Sequence, residues 1–599
     1  MKKKNILFPL VCVAAVSTLS ACSFSFVDVY TSRYSVDNHP TDSLVLSTVD
    51  DKISEAKTAL HTNSNFRNTS RDVHVYFSSD YADVPYVSVH EFLDIDIFYH
   101  DSIVFVGDAA THNGASAKFD VENNTVWFSD FDNFTKLYEN GLKVPIDLAS
   151  MESDSSWAMG IRNPTSTYTS GGEITFDLSK YDADILESGG EVLLPFAYVN
   201  ELFFVPSGLS FAFNGAEFYE TDDSTAFYKT DEEGNFLSYT DYGKAAYRNA
   251  SSTRSSSYAS YFYYSTCFHF DYLFGKAADF GYTSADAVFT SSGFKSAMLS
   301  TNPAEADNAF AEFLGSYYDD GGHTGFTLPG FGTKLTSSSV TNGQKYWAKG
   351  IQESPEQRYM TSYETYERLE AARNASSCTT EGYSISSKTG IIRFDEFYDD
   401  GVHASTKDGD TYALFKKAFS AFAANSSVKN VVIDLSLNGG GHISSCAQAL
   451  AFLHNEVTFQ WTNPTTGSQS KETGYYTKIP SYGSKYKFYV LVSGCTFSAA
   501  NAFACIAQEN GWAEIIGENA SGGGDCAVDS VSLADGTMYQ DSSLLKMCGY
   551  DRSGSRISFD SGASIDHQFA EPKEEGLLVK SYSESFYSDS KLASFVESL

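Results

Sequence analysis

Positive charge is scarce in this chain: its 599 residues include 41 lysines and arginines against 76 aspartates and glutamates, a formal net charge of −35. A surface of that sign repels nucleic acid and anionic lipid headgroups, so no nucleic-acid partner is expected. The plain reading of the acidity is a solvated exterior that keeps the protein dispersed. Paired cysteines are lacking too. Apart from Cys12 and Cys22 there are seven, an odd number with no C-x-x-C spacing, which points to neither a disulfide framework nor a zinc site. Cys446, Cys495 and Cys505 stand among apolar residues and read as small core hydrophobes. No Gly-Lys-Ser/Thr follows a glycine loop, which excludes a P-loop, and the G-x-G-x-x-G spacing of a dinucleotide site is missing. No cofactor and no metal are expected. Beyond Cys22 no apolar run approaches the roughly 20 residues that a membrane span takes.

What is present begins with a leader. Lys2, Lys3 and Lys4 precede an apolar run from Ile6 to Val16, and Leu19-Ser-Ala-Cys22 follows. Charge, length and closing residues have the layout of a secretory signal. The tetrapeptide resembles the bacterial lipobox, which implies cleavage before Cys22, acylation of its thiol and a protein held at the extracytoplasmic face of the cell membrane by that lipid. Loss of the three lysines takes the formal charge to about −38. The expected order is a signal peptide over 1–21, a tether over 22–40, a β-rich N-terminal region over 41–235 and a helical segment over 251–330. A connector over 331–389 and a catalytic domain over 390–585 complete a multidomain α/β protein.

In the N-terminal region short alternating runs at 73–77, 102–106 and 124–128 read as strands between Asn, Asp, Gly and Ser clusters. Residues 85–93 echo residues 195–203, a strand that turns into a short helix, which suggests a duplicated module. The pair resembles the copper amine oxidase N-terminal-like repeat of bacterial surface proteins over about nine residues and implies no copper. The Ser/Tyr-rich stretch 251–264 reads as a linker or exposed loop. After it, Ala309, Phe310, Phe313 and Leu314 recur at helical spacing ahead of a turn that presents His323. From Gly390 strand and helix alternate. Ile391, Ile392 and Phe394 form a strand, Tyr412, Phe415, Phe419 and Phe422 share a helix face, and 431–435, 488–492 and 513–517 read as buried strands with helices between them.

Two places in this alternation can carry chemistry. Ser498 starts an alanine-rich helix after a strand, where free amides and the positive end of the helix dipole favour a developing oxyanion. A serine there is far more often only an N-cap. Gly439, Gly440 and Gly441 follow the strand ending at Leu435, and such a loop can bring backbone N–H groups close to a ligand or merely turn the chain.

Taken together, Val432-Ile-Asp-Leu-Ser-Leu-Asn-Gly-Gly-Gly441, Leu491-Val-Ser-Gly-Cys-Thr-Phe-Ser-Ala-Ala-Asn501 and Ile516-Gly-Glu-Asn-Ala-Ser-Gly-Gly-Gly524 resemble the tail-specific, or C-terminal processing, serine protease family. The motifs occur in family order over about 180 residues, with Gly390-Ile-Ile-Arg-Phe394 as entry strand. The resemblance implies a ClpP/crotonase-like α/β catalytic domain. It implies Ser498 as nucleophile and Gly440 or Gly441, with the amide of Ala499, as oxyanion hole. Three departures stand out: Ser436 for the usual arginine, Asn501 for the usual glutamate, and Gly523 where Ser-Lys members keep a lysine base. The nearest lysine downstream is Lys546, in an unrelated pattern.

A serine without a base is a poor nucleophile at neutral pH. Asp319-Asp-Gly-Gly-His-Thr-Gly-Phe326 is similar to the Asp-Gly-His-Thr motif of a lysine-free branch related to the tricorn core protease and the retinoid-binding protein repeats. That likeness implies His323 as base, against the plainer reading of a solvated turn histidine; His442 beside the glycine loop is the runner-up. For the acidic third member the likeness points to Asp560 or Asp566. The expected function is hydrolysis of peptide bonds in protein or peptide substrates through an acyl-enzyme. The competing expectation is an inactive surface lipoprotein that binds peptides or glycans on a peptidase scaffold. The short stretch between His323 and Gly390 leaves little room for a PDZ domain.

Overall fold

The computed structural model describes residues 44–49, 51–62, 70–95, 102–135, 137, 165–230, 236–250, 253–318, 320–335, 358–378, 382–398, 410–476, 479–517, 523–569 and 585–599. The leader, Cys22, most of the connector, Asp319 and residues 518–522 lie outside these. Among the described residues no helix is long and apolar enough to cross a membrane.

The alternating runs of the N-terminal region form strands for the reason their pattern gives: one face of each is apolar. In Ser70–Ser78, Val73 and Val75 are fully buried, and in Ala115–Asp120 the inward face is Ala115, Ala117 and Phe119. One sheet orders its strands Leu186–Ser188, Glu191–Pro195, Tyr86–Ser88, Ser70–Ser78, Ile53–His61, Phe218–Glu220, Phe211–Phe213, and a five-stranded meander spans Val104–Val106 to Ile174–Asp177. Edge-to-face rings such as Phe128 on Phe131 and Phe176 fill the space between elements. The two echoed segments meet where Pro195 lies opposite Tyr86, but out of step: Tyr86–Ser88 is strand, whereas its counterpart from Phe196 is already helical. Glu91 and Glu201, equivalent in the echo, each bond a histidine, His74 and His269.

The Ser/Tyr-rich stretch is no exposed loop. Ser255 caps helix α1 (Ser256–Tyr272) by accepting from the Tyr258 amide, and Tyr261, Phe262 and Tyr263 are buried. The stretch is rich in hydroxyls, but its consecutive rings Tyr261, Phe262 and Tyr263 pack into the core from around the helix. Helix α2 (Pro303–Tyr317) starts on the Asn302 cap and buries Ala309, Phe310, Phe313 and Leu314. The chain then turns into strand β1 (Gly325–Leu328).

The C-terminal part is the alternating unit that the apolar periodicity describes. Its elements are β2 (Gly382–Ser386), β3 (Thr389–Arg393), α3 (Thr411–Ala424), β4 (Asn430–Asp434), α4 (Ile443–Ala451), β5 (Lys487–Val492), α5 (Ala499–Glu509) and β6 (Glu514–Gly517). The long strand β7 (Met538–Tyr550) belongs to a second sheet, and β8 (His567–Gln568) closes the first. The first sheet runs β2-β3-β4-β5-β6-β8, parallel throughout except for β2. Its strands are apolar on both faces, as a sheet covered on both sides requires. The second sheet orders β1, β7, Glu456–Thr462, Gln469–Tyr475 and Thr165–Thr169, so a strand from the N-terminal half pairs directly with the C-terminal half.

Candidate active site

Ser498 and the glycine loop meet because β4 and β5 are parallel neighbours whose carboxyl ends open to the same edge of the sheet. The connections beyond those ends are stitched together: Thr496 Oγ1 donates to Leu435 O at 2.8 Å, Ser493 Oγ to Ser436 O at 2.5 Å, and the Phe497 amide to Asn438 O at 3.3 Å. Ser498 precedes the first turn of α5 with φ 51° and ψ −125°. A non-glycine residue held there stores about 1–3 kcal/mol. The strand-turn-helix corner lifts the hydroxyl off the sheet edge instead of turning it back as a cap, and Ser498 makes no side-chain cap hydrogen bond to α5.

Gly440 and Gly524 stand where nothing larger fits. A Cβ on Gly440 would lie 2.7 Å from Ser498 Cβ, and one on Gly524 2.6 Å from Ser498 Cα and 2.7 Å from its nitrogen. Asn438 shapes the loop, accepting from the Gly440 amide at 2.9 Å while its Nδ2 donates to Phe394 O. That engages the Gly440 N–H. Among the described residues no hydrogen bond takes up the amides of Gly441 or Ala499, so both N–H groups are left to meet a ligand.

His323 reaches the serine from the turn after α2, its Nε2 3.2 Å from Ser498 Oγ. The turn folds around Asp320. Asp320 Oδ1 accepts from the amides of His323 and Thr324, both at 2.9 Å, and Oδ2 accepts from Thr324 Oγ1 at 2.7 Å and Ser542 Oγ at 2.6 Å. From β7, Gln540 Nε2 donates to His323 O at 3.0 Å. The imidazole is 1 % exposed and stands edge-on to the Phe497 ring, centroids 4.8 Å apart. Burial lowers its pKa from the ordinary histidine value; the charges of Asp320 and Asp525 oppose that and the Lys276 cation adds to it. A neutral ring with Nε2 facing the hydroxyl can accept a proton from it.

The other candidates fall elsewhere. His323 Nδ1 is buried with no hydrogen-bond partner, so neither Asp560 nor Asp566 holds it. Asp566 secures the sheet edge, accepting from the Ile515 amide at 2.7 Å and Gln508 Nε2 at 2.9 Å. Asp560 pairs with Lys276 at 3.0 Å, and its carbonyl accepts from the Gly523 amide. Both expectations relied on sequence position, which does not fix which way a carboxylate points in an irregular segment. His442 is the N-cap residue of α4, with its amide on Phe397 O and its ring 5.9 Å from Tyr398. Asn501 donates to the carbonyls of Gly523 and Phe559, and Ser436 to Asp434.

The structure adds residues that the motifs did not single out. At Gly523, φ 76°, a Cβ would come 2.9 Å from the Phe497 ring, so that ring fills the space a side chain would need. Lys276 lies 2.6 Å from Asp279 and 3.0 Å from Asp525, besides Asp560. Lys546 joins them, 2.6 Å from Asp279 and 3.5 Å from Asp525. These three carboxylates, close enough to share one ion, therefore surround an ammonium group. The Lys276 pKa is driven far up by the carboxylates against the pull of burial, so Lys276 stays protonated and cannot serve as base. Of these, only Asp320 carries a signal in the sequence: the Asp-x-x-His-Thr spacing is the pattern of a side chain accepting from amides three and four residues on.

Residues 388–558 match the model of peptidase family S41. No curated protein matches. Among solved structures the chain is similar to a candidate peptidase from Parabacteroides merdae (16 % identity, TM-score 0.32, 48 % of this chain and 81 % of that one). It is also similar to the photosystem II D1 C-terminal processing protease (19 %, 0.25, 36 % and 52 %) and to a candidate S41 protease from Bacteroides fragilis (15 %, 0.28, 36 % and 57 %). The chain thus spans about half the length of the latter two.

Proposed function

We propose that this protein is an exported serine peptidase, anchored through a lipid on Cys22, that cleaves protein or peptide substrates through an acyl-enzyme on Ser498. The observation that carries the reading is the 3.2 Å approach of His323 Nε2, from outside the residues that match family S41, to Ser498 Oγ within them. His323, neutral through burial, takes the hydroxyl proton as Oγ attacks the scissile carbonyl. The oxyanion gathers at the amides of Gly441 and Ala499, at the positive end of α5. The imidazolium then returns its proton to the leaving amine, and water attacks the acyl-enzyme by the same route. No carboxylate sits on Nδ1, so the charges of Asp320 and Asp525 are what steady the imidazolium.

The test is labelling by a fluorophosphonate followed by peptide mapping, with casein hydrolysis measured in parallel. Label on Ser498, and loss of both labelling and hydrolysis in Ser498→Ala, are the expected results. A folded protein that takes no label, or unchanged hydrolysis in Ser498→Ala, refutes the chemistry. For the anchor, cells fed labelled palmitate should mark the wild-type protein and not Cys22→Ser.

A further inference from the structure

Away from the serine, one buried histidine is clamped by two acids that lie 340 residues apart in the chain. His269, on the last turn of α1, has Nδ1 2.6 Å from Glu201 Oε2 and Nε2 2.6 Å from Asp541 Oδ2. The three side chains are 1 to 2 % exposed. Glu201 sits in the π-helical turn Asn200–Phe204 of the N-terminal region, and Asp541 on β7. Such turns recur where a backbone is re-aimed to place a particular side chain.

The clamp is next to the base in structure. Side chains alternate along a strand, so Gln540 and Ser542 leave β7 on one face and Asp541 on the other. Gln540 holds the His323 carbonyl and Ser542 holds Asp320, the residue around which the His323 turn is folded. Asp541, between them, is fixed to His269 and through it to Glu201. Burial pulls the His269 pKa down, but Glu201 and Asp541 outweigh it and carry it up to about 10, so the ring is cationic at neutral pH. Asp529, across the sheet from Asp541, is pushed up to about 8 by burial and the Asp541 charge and is neutral there. Glu201, Asp541 and the cation therefore form a compact ionic set. Removing its middle member leaves two anions facing each other out of water.

We infer that His269 is a positioning residue for the base: the Glu201–His269–Asp541 clamp fixes the stretch of β7 that holds the His323 turn, which makes the N-terminal region a working part of the catalytic centre. This role rests on the peptidase reading. A displacement of the base by about 1 Å is enough to slow such chemistry roughly 100-fold. A loosened turn would also let water reach His323, which relaxes the depression of its pKa while Asp320, Asp525 and Lys276 still face it.

The experiment follows Ser498 labelling by a fluorophosphonate against pH in the full chain. His269→Ala should label about 10 to 100 times more slowly, with the acid limb moved up toward the ordinary histidine value. His269→Gln keeps the volume and one donor, so it should show the same changes in milder form if the alanine variant does not fold. Val75→Ala, a core truncation in the strand Ser70–Ser78, should lower the unfolding temperature and leave the acid limb in place. A folded His269 variant with wild-type rate and limb overturns the positioning role and leaves the peptidase reading standing. A wild-type protein that takes no label overturns both.

Discussion

Gly524→Ala isolates what the corner around Ser498 demands of its neighbours. The added methyl would lie 2.6 Å from Ser498 Cα, 2.7 Å from its nitrogen and 2.9 Å from its Cβ. Two of those atoms are backbone, so no side-chain rotation relieves the contact. Gly524 also has φ 71°, which costs a residue with a Cβ about 1–2 kcal/mol, and overpacking against a fixed neighbour adds about 1–3. The sum is about 2–5 kcal/mol of stability. Gly554→Ala is the control, since its φ is 85° and nothing lies within 4 Å of the new methyl. It should cost only the conformational part, about 1–2 kcal/mol. Chemical denaturation gives the stabilities, and fluorophosphonate labelling gives the reactivity of Ser498. Labelling should fall roughly 10- to 100-fold in Gly524→Ala, because the methyl displaces the nucleophile itself, and stay at the wild-type rate in Gly554→Ala. Equal effects of the two substitutions on stability and labelling would refute the account of why glycine stands at 524.

Because burial lowers the His323 pKa, the ring stays neutral to lower pH than an ordinary histidine, and wild-type labelling should be half-maximal below pH about 6.5; a limb above that value contradicts the burial argument. Lys276→Met leaves Asp560 without its cation and Asp279 and Asp525 with Lys546 alone, and should destabilise the protein by less than the about 3–5 kcal/mol of a fully buried charge left unpaired. It should also move the acid limb up, since the lysine charge disfavours the imidazolium; a downward move counts against it. Asp307 is pushed up to about 7, first by burial and then by Asp535, while Thr333, Thr537 and Arg254 oppose the rise. A carboxyl whose pKa is raised by folding loses stability as pH climbs from its unfolded value toward the folded one. Asp307→Asn should therefore gain more in unfolding temperature, relative to wild type, at pH 8 than at pH 5, and equal differences at the two pH values exclude the shift.

Local pattern alone determined a good deal. The apolar runs at 431–435 and 488–492, with the helix-spaced Phe415, Phe419 and Phe422 before them, specify the alternating unit. Within that unit, a serine after a strand and a glycine loop after its neighbour must meet at one sheet edge. Those readings held because strand and helix periods are written in adjacent residues. In the stretch 251–264 the hydroxyls suggest solvent, and only packing of Tyr261, Phe262 and Tyr263 against the rest of the core buries the helix that starts at Ser256. His323 was nameable from its turn, but its meeting with Ser498 crosses 175 residues, and no periodicity spans that distance. The same holds for Lys276 with Asp525 and Asp560 and for His269 between Glu201 and Asp541, which come together from separate elements through tertiary packing. The empty hydrogen-bonding position at His323 Nδ1 is the plainest case: the sequence offers Asp560 and Asp566, and the tertiary structure spends one on a lysine and the other on a strand amide.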